Sequence, residues 1–188
     1  MKNKLLFLIV LVSFVMASCA EKIQLFDLDN PDSWMEMGDA KWEFEHGVIS
    51  GSVATGTGFL ITQDTYANFE LQLDFCPDET IDSGVFIRCK EQALSYTDCY
   101  EINIWDNHPK QVDRTGAIVS RTKPLPQVNT TNQWNTYRIK CKGNEIKAWI
   151  NDVLLADIQN SDLAEGFIAL QADGIGMVKF RNVTLKKL

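Results

Sequence analysis

The last third of the chain constrains its fold most. Tyr137–Lys142 and Ile146–Ile150 alternate apolar and polar side chains on either side of Gly143-Asn144, and Asn151-Asp152 closes the second segment. Gly-Asn and Asn-Asp pairs supply the positive φ that tight hairpins demand, and a period of two places every second side chain on one face. Gly166–Gly174 and Val178–Val183 continue in the same style. A helical face repeats every 3.6 residues and does not produce this pattern, so the region reads as antiparallel β-structure.

The pattern extends upstream. Phe69–Phe75 alternates strictly, which assigns Phe69, Leu71, Leu73 and Phe75 to the core. Trp42–Gly51 reads as two short strands about His46-Gly47, and Phe59–Thr62, Gly84–Cys89 and Tyr100–Trp105 as three more. Leu154–Leu163 has room for a single helical turn. No long amphipathic helix and no internal repeat is visible, which disfavours propellers and solenoids. Residues 107–132 carry Pro109, Pro124 and Pro126 and few apolar side chains, so they form a long loop of the kind that often carries function. Ten or more short strands in one domain predict an all-β fold, a two-sheet antiparallel jelly-roll sandwich.

Residues 1–18 read as a signal peptide: a basic start at Lys2 and Lys4, an apolar run from Leu5 to Met16, and small residues after it. The run is shorter than the roughly 20 residues a bilayer span needs. Met16-Ala17-Ser18-Cys19 has the small-small-Cys ending of a bacterial lipobox, which makes Cys19 the expected lipidation site; ordinary cleavage after Ala20 is the competing reading. The expected location is extracytoplasmic, in the bacterial cell envelope, periplasm or secreted, with membrane contact only through the lipid anchor. Residues 19–188 then form a single domain with enough chain for a sizeable core.

Without the leader the chain keeps 16 basic and 25 acidic residues, a net charge of −9. It has no basic run, which argues against nucleic acid. Cys76, Cys89, Cys99 and Cys141 show no Cys-x-x-Cys spacing, so neither a redox motif nor a zinc site is indicated. Export permits disulfides, and Cys89 with Cys99 would close a loop beside two strands; four buried thiols are the alternative. His46 and His108 lack partners at strand or helix spacing, so no metal centre is expected. Asp27–Asp32 is acidic enough for a structural calcium ion but lacks an EF-hand pattern and reads as a solvated turn. No cofactor is predicted.

Alternation also locates candidate site residues. Tyr100, Ile102 and Ile104 share one face of their strand, and Glu101, Asn103 and Trp105 the other. Val85, Ile87 and Cys89 form the core side of the preceding strand, leaving Phe86 and Arg88 outside. Ile168 and Leu170 point one way, and Phe167, Ala169 and Gln171 the other. If these strands share a sheet, Arg88, Glu101, Asn103, Trp105 and Gln171 line one surface. An indole, a carboxylate and amides are what a sugar groove requires, so a carbohydrate is the expected ligand. A merely solvated sheet face accounts for the same pattern.

Several segments together resemble the 3-keto-disaccharide hydrolase domain family, once a domain of unknown function. They are Phe44–Gly51, Tyr66–Leu71, Asp82–Arg88, Tyr100–Asp106, Thr115–Ile118, Trp134–Arg138 and Phe180–Val183. The resemblance runs from about Ile23 to Leu188. It implies a concanavalin-like jelly roll, of the lectin and glucanase type, that acts on glycosides oxidised at C3 of the sugar. Asn103 stands where many relatives carry Gln, and Ala172-Asp173-Gly174 where some carry Asp-His-Gly. A histidine role therefore does not carry over to that strand.

A C3 ketone acidifies the proton on C2, so its removal by a base, with loss of the C1 oxygen, cleaves the glycosidic bond by elimination, and hydration follows. Such a site needs a base, an acid and a donor for the enolate oxygen. The expected catalytic set is Glu101 as base or acid, Arg88 as enolate stabiliser and Asp106 as second acid or sugar ligand. The expected substrate-binding set is Trp105 as stacking platform with Asn103, Gln171, Phe86 and His108. Direct hydrolysis by two carboxyl groups is a second route. A non-catalytic carbohydrate-binding module on the same fold is the alternative function, and a structural lipoprotein the third.

Overall fold

The computed structural model describes residues 22–27, 29–91 and 94–188. The expected signal peptide at 1–18 and the lipidation site Cys19 lie outside the described residues. Among the described residues, no helix is long and apolar enough to cross a membrane.

Among the described residues there are thirteen strands: β1 (Lys22–Gln24), β2 (Trp34–Gly38), β3 (Lys41–Glu45), β4 (Val48–Val53), β5 (Thr57–Thr62), β6 (Phe69–Pro77), β7 (Ile81–Cys89), β8 (Tyr100–Ile104), β9 (Asn135–Lys142), β10 (Glu145–Ile150), β11 (Val153–Gln159), β12 (Phe167–Gly174) and β13 (Gly176–Lys187). They form two antiparallel sheets. The larger runs β11-β10-β9-β6-β13-β4-β3, with β1 also on β13; the smaller runs β2-β5-β12-β7-β8. This is the two-sheet sandwich the alternation predicts.

The core lies between the sheets. The larger sheet contributes Phe69, Leu71, Leu73 and Phe75 from β6, and Tyr137, Ile139 and Cys141 from β9. Facing them are Leu60, Val85, Ile87, Tyr100, Ile102, Ile104, Ile168 and Leu170 from the smaller sheet. Each large apolar side chain moved from water into this layer contributes about 1.5–3 kcal/mol. The outer face of the smaller sheet carries a second apolar cluster that includes Phe59, Ile61, Phe86, Cys89, Cys99 and Ala169. That sheet is therefore apolar on both sides, which a simple solvated face would not be.

Three expectations are corrected. Leu154–Leu163 is not a helical turn; most of it is β11, paired with β10 through Ile146↔Ile158 and Ala148↔Ala156. β8 ends at Ile104, so Trp105 lies beyond the strand. The third correction concerns Arg88 and Cys89. Phe167 pairs with Cys89 but Ala169 with Phe86, so β7 carries one extra residue there. Arg88 takes up that bulge with φ of 52°. The extra residue reverses the alternation, so Arg88 turns inward and Cys89 outward, where it forms a disulfide with Cys99. Gly166 faces this bulge, and a Cβ there would lie 2.2 Å from the Cys89 carbonyl oxygen.

The loop after β8 is less irregular than its prolines suggest. Residues 116–119 run along β8: the amide of Gly116 donates to the Asn103 carbonyl, that of Asn103 to Ala117, and that of Val119 to Glu101. The free edge of the smaller sheet is thereby paired, and the loop is held over the sheet's outer face.

Candidate active site

A cavity of about 510 Å³ opens on the outer face of the smaller sheet. Its floor is built in rows across β5, β12, β7 and β8. Ala169, Phe86 and Glu101 are successive cross-strand partners in one row. Phe59 pairs with Gln171, and Gly84 with Asn103, in the next. Thr57, Asp173 and Asp82 form a third. Leu94, Ser95 and Tyr96 wall one side, from the loop that the Cys89–Cys99 disulfide closes. His108, Lys110, Asp113, Val119 and Ser120 wall the other, from the loop after β8.

Glu101 is only 8 % exposed, and its carboxyl accepts no hydrogen bond from a described residue. Burial, then the nearby carboxylates of Asp82, Asp113 and Asp173, push its carboxyl up to about 8. Asp82 is pushed up to about 7 by burial and by Asp173, its partner across the strand pair. Gly84 keeps the floor open beside Glu101, since a Cβ there would stand 3.3 Å from the Glu101 Cγ and 3.4 Å from the Phe86 ring.

Gln171 is almost fully buried, and its Oε1 has no hydrogen-bond partner among the described residues; Asp82 Oδ1 is in the same condition. Buried polar atoms without partners are rare in folded proteins and call for an explanation. Here the two residues Asp82 and Gln171 both line one cavity. Asn103 also lines it, but its side chain is engaged: Nδ2 donates to the Asp113 carbonyl and Oδ1 accepts from the Ile104 amide at 2.8 Å. Asn103 thus fixes the 3₁₀ turn at Gln111–Asp113 against β8.

Of the residues expected from the sequence, Glu101, Asn103, Gln171, Phe86 and His108 meet in this cavity. Arg88, Asp106 and Trp105 do not. The Arg88 guanidinium is buried beneath the sheet, donating to the carbonyls of Ala67, Gly143 and Leu163. Asp106 is clasped by the amides and hydroxyls of Thr130 and Thr131, with Arg114 Nη2 3.6 Å away. Burial works against its charge, but these bonds and the Thr115 hydroxyl outweigh it and hold the carboxyl below its ordinary value. Trp105 packs edge-on against His108 at 4.6 Å instead of lining the cavity. The apolar floor comes from Phe59 and Phe86, whose rings meet edge to face at 5.3 Å.

Asp82, Asp173, Asp113, Lys110 and Phe59 are site residues that the sequence reading omitted. Asp82 lies two positions before Gly84 and four before Phe86, and Asp173 two after Gln171, so strict alternation already placed both on this face. Lys110 and Asp113 sit in an irregular loop with no periodic signal.

The model of the 3-keto-alpha-glucoside-1,2-lyase-like domain matches residues 21–186. The chain belongs to this family. The resemblance to 3-keto-disaccharide hydrolases read from the sequence is borne out, as is the jelly-roll fold. A 3-keto-alpha-glucoside-1,2-lyase-like domain built on this sandwich has close structural counterparts. A proposed glycosyl hydrolase from Parabacteroides distasonis ATCC 8503 is 25 % identical, with a TM-score of 0.75 over 89 % of this chain and 100 % of that one. A second from the same organism is 21 % identical, with a TM-score of 0.76 over 89 % and 94 %. A carbohydrate-binding module from Bacillus subtilis shares the fold at 16 % identity, with a TM-score of 0.64 over 82 % and 96 %. No curated protein matches the chain by sequence.

Proposed function

We propose that the chain cleaves glycosides whose sugar carries a ketone at C3, with Glu101 exchanging protons with the substrate. The observation that carries the reading is the Glu101 carboxyl itself. It lies on the floor of a cavity large enough for a sugar, accepts no hydrogen bond from a described residue, and is held near neutrality by burial and three neighbouring acids. A group that titrates near the working pH is what general acid–base catalysis uses.

A carboxylate removes the C2 proton, and the C–H electrons form a C1–C2 double bond as the C1–O bond breaks. The C3 carbonyl oxygen carries the transient negative charge. The departing oxygen takes a proton from a second acid, and water adds to C1 of the enone to complete cleavage. Glu101 supplies one proton transfer, and Asp113, on the cavity wall and close enough to raise the Glu101 pKa, supplies the other. Lys110 takes the enolate-stabilising role expected of Arg88, being the ammonium among the described lining residues. Phe86 and Phe59 offer an apolar floor for the sugar face, and Gln171 a hydroxyl acceptor.

An extracytoplasmic location, with Cys19 as the anchor point, is part of the same proposal. The Cys89–Cys99 disulfide supports it, because such bonds persist in oxidising compartments. A binding-only role is the second reading, favoured by the likeness to the Bacillus subtilis carbohydrate-binding module. The test is release of aglycone from a synthetic 3-keto-glucoside by the wild type and by Glu101→Gln. Turnover that Glu101→Gln abolishes supports the proposal, whereas full activity in that variant removes Glu101 from the chemistry. Glycan binding without turnover of any keto-sugar would establish the second reading.

A further inference from the structure

We propose that the cavity selects glycosides bearing a protonated amine, with Asp82 and Asp173 seating the ammonium and Gln171 Oε1 as its third acceptor. This names a substrate class for the site described above and rests on that site being the sugar-binding one.

Asp82 and Asp173 are direct partners on β7 and β12, so two carboxyl side chains stand opposite each other in one row of the floor. Like charges so placed destabilise a sheet, and among the described residues neither acid forms a salt bridge with a cation. Asp82 Oδ1 is buried without a hydrogen-bond partner among the described residues. One row away, Gln171 is 6 % exposed, lines the same cavity, and leaves its Oε1 equally without a donor. Three adjacent side chains therefore present acceptors and receive no hydrogen bond from a described residue.

A ligand suited to these acceptors is rich in donors. A sugar hydroxyl brings one hydrogen and two lone pairs, so between two carboxylates it satisfies one and repels the other. An ammonium brings three donors, no acceptor and a positive charge. It would meet Asp82, Asp173 and Gln171 together and remove the repulsion of the carboxylate pair. The rest of the described lining points the same way. Glu101 and Asp113 add two acids, against Lys110 and His108. A uronate or a sulfated sugar would bring negative charge into this field. An N-acetylated amine keeps the nitrogen but loses the charge and two of the three donors.

The experiment is calorimetric titration at neutral pH with methyl glucosaminide, its N-acetyl form, methyl glucoside and methyl glucuronide. Charge-assisted hydrogen bonds predict that the free amine binds about ten-fold or more tightly than the glucoside, with the glucuronide weakest. Asp173→Asn should bring the amine and glucoside within about two-fold of each other. Asp82→Asn, tested alongside, should do the same, and near-UV circular dichroism confirms which variants fold. Equal affinity for the free and N-acetylated amines would overturn the proposal, as would no binding of the amine or an undiminished preference in a folded variant. Displacement of the amine by calcium or magnesium ions at stoichiometric concentration would also overturn it, because the acceptors would then serve a metal.

The keto-glucoside assay is independent of this result. Keto-sugar turnover without amine preference removes only the ammonium seat. Amine preference without turnover of any keto-sugar removes the enzyme reading and leaves the seat in place.

Discussion

The Arg88 guanidinium grips the carbonyl oxygen of Ala67 twice, from Nε at 3.0 Å and from Nη2 at 2.6 Å. Its Nη1 donates to Gly143 and Leu163, both at 3.0 Å. One side chain thus ties the β5–β6 connection, the β9–β10 turn and the segment before β12. Arg88→Met would leave three carbonyls without their donor and should cost about 3 kcal/mol or more. For a domain of this size that lowers Tm by roughly 6–12 °C, read by thermal denaturation. An unchanged Tm with lost keto-glucoside turnover would instead return Arg88 to the chemistry.

Asp106 holds the long loop in the same structural sense. Its carboxylate receives Thr130 and Thr131, which fixes the return of the chain toward β9. Asp106→Ala should destabilise the fold by about 2–4 kcal/mol, since it strands several buried donors at once. Urea denaturation checks this, and an unaltered midpoint would contradict it.

Glu101 gives a pH prediction with a definite sign. Its folded pKa of about 8 exceeds its ordinary value of 4.5, and that of Asp82, about 7, exceeds 3.8. The folded state therefore holds these protons more tightly than the unfolded chain. Their stabilising contribution is complete below about pH 4 and is lost as the pH rises toward 8. Glu101→Gln removes roughly half of this dependence, so its Tm should exceed that of the wild type at pH 8 and approach it at pH 4. The same substitution should lower keto-glucoside turnover by about 10²–10⁴-fold. A variant less stable than the wild type at pH 8 would refute the assignment.

The disulfide is expected to matter for both stability and the cavity wall. Cys89 and Cys99 lie ten positions apart and close the loop that supplies Leu94, Ser95 and Tyr96. Replacing both with serine should cost about 2–4 kcal/mol, chiefly through the unfolded chain. Because that wall lines the cavity, KM for a keto-glucoside should rise more than kcat falls. Unchanged stability in the double variant, by denaturant titration, would rule out the bond as a staple.

The sandwich was legible in the sequence because each strand writes its own burial into alternate residues. Phe69 to Phe75, Ile102 with Ile104, and Glu101 with Gln171 all occupy the faces that their period assigns. Asp82 and Asp173 obeyed the same rule, with Asp173 opposite Asp82 only once β7 and β12 are paired. The misplacement of Arg88 and Cys89 has one cause. A single added residue in β7 inverts everything after it, and no composition marks a bulge at a residue other than glycine. Trp105 and Asp106 failed for a related reason, since the strand stops at Ile104 and the loop hydrogen bonds that capture Asp106 come from residues 24 and 25 positions away.

Local chemistry thus determined the strands, their faces, the turns and the acidic character of the chain, because those depend on neighbours one or two residues apart. Tertiary structure decided which strands adjoin, where the register slips, and which carboxyl groups share one cavity. Those outcomes depend on contacts between distant segments, and it is their mutual burial that sets Glu101 and Asp82 near neutrality and leaves Gln171 Oε1 without a donor among the described residues.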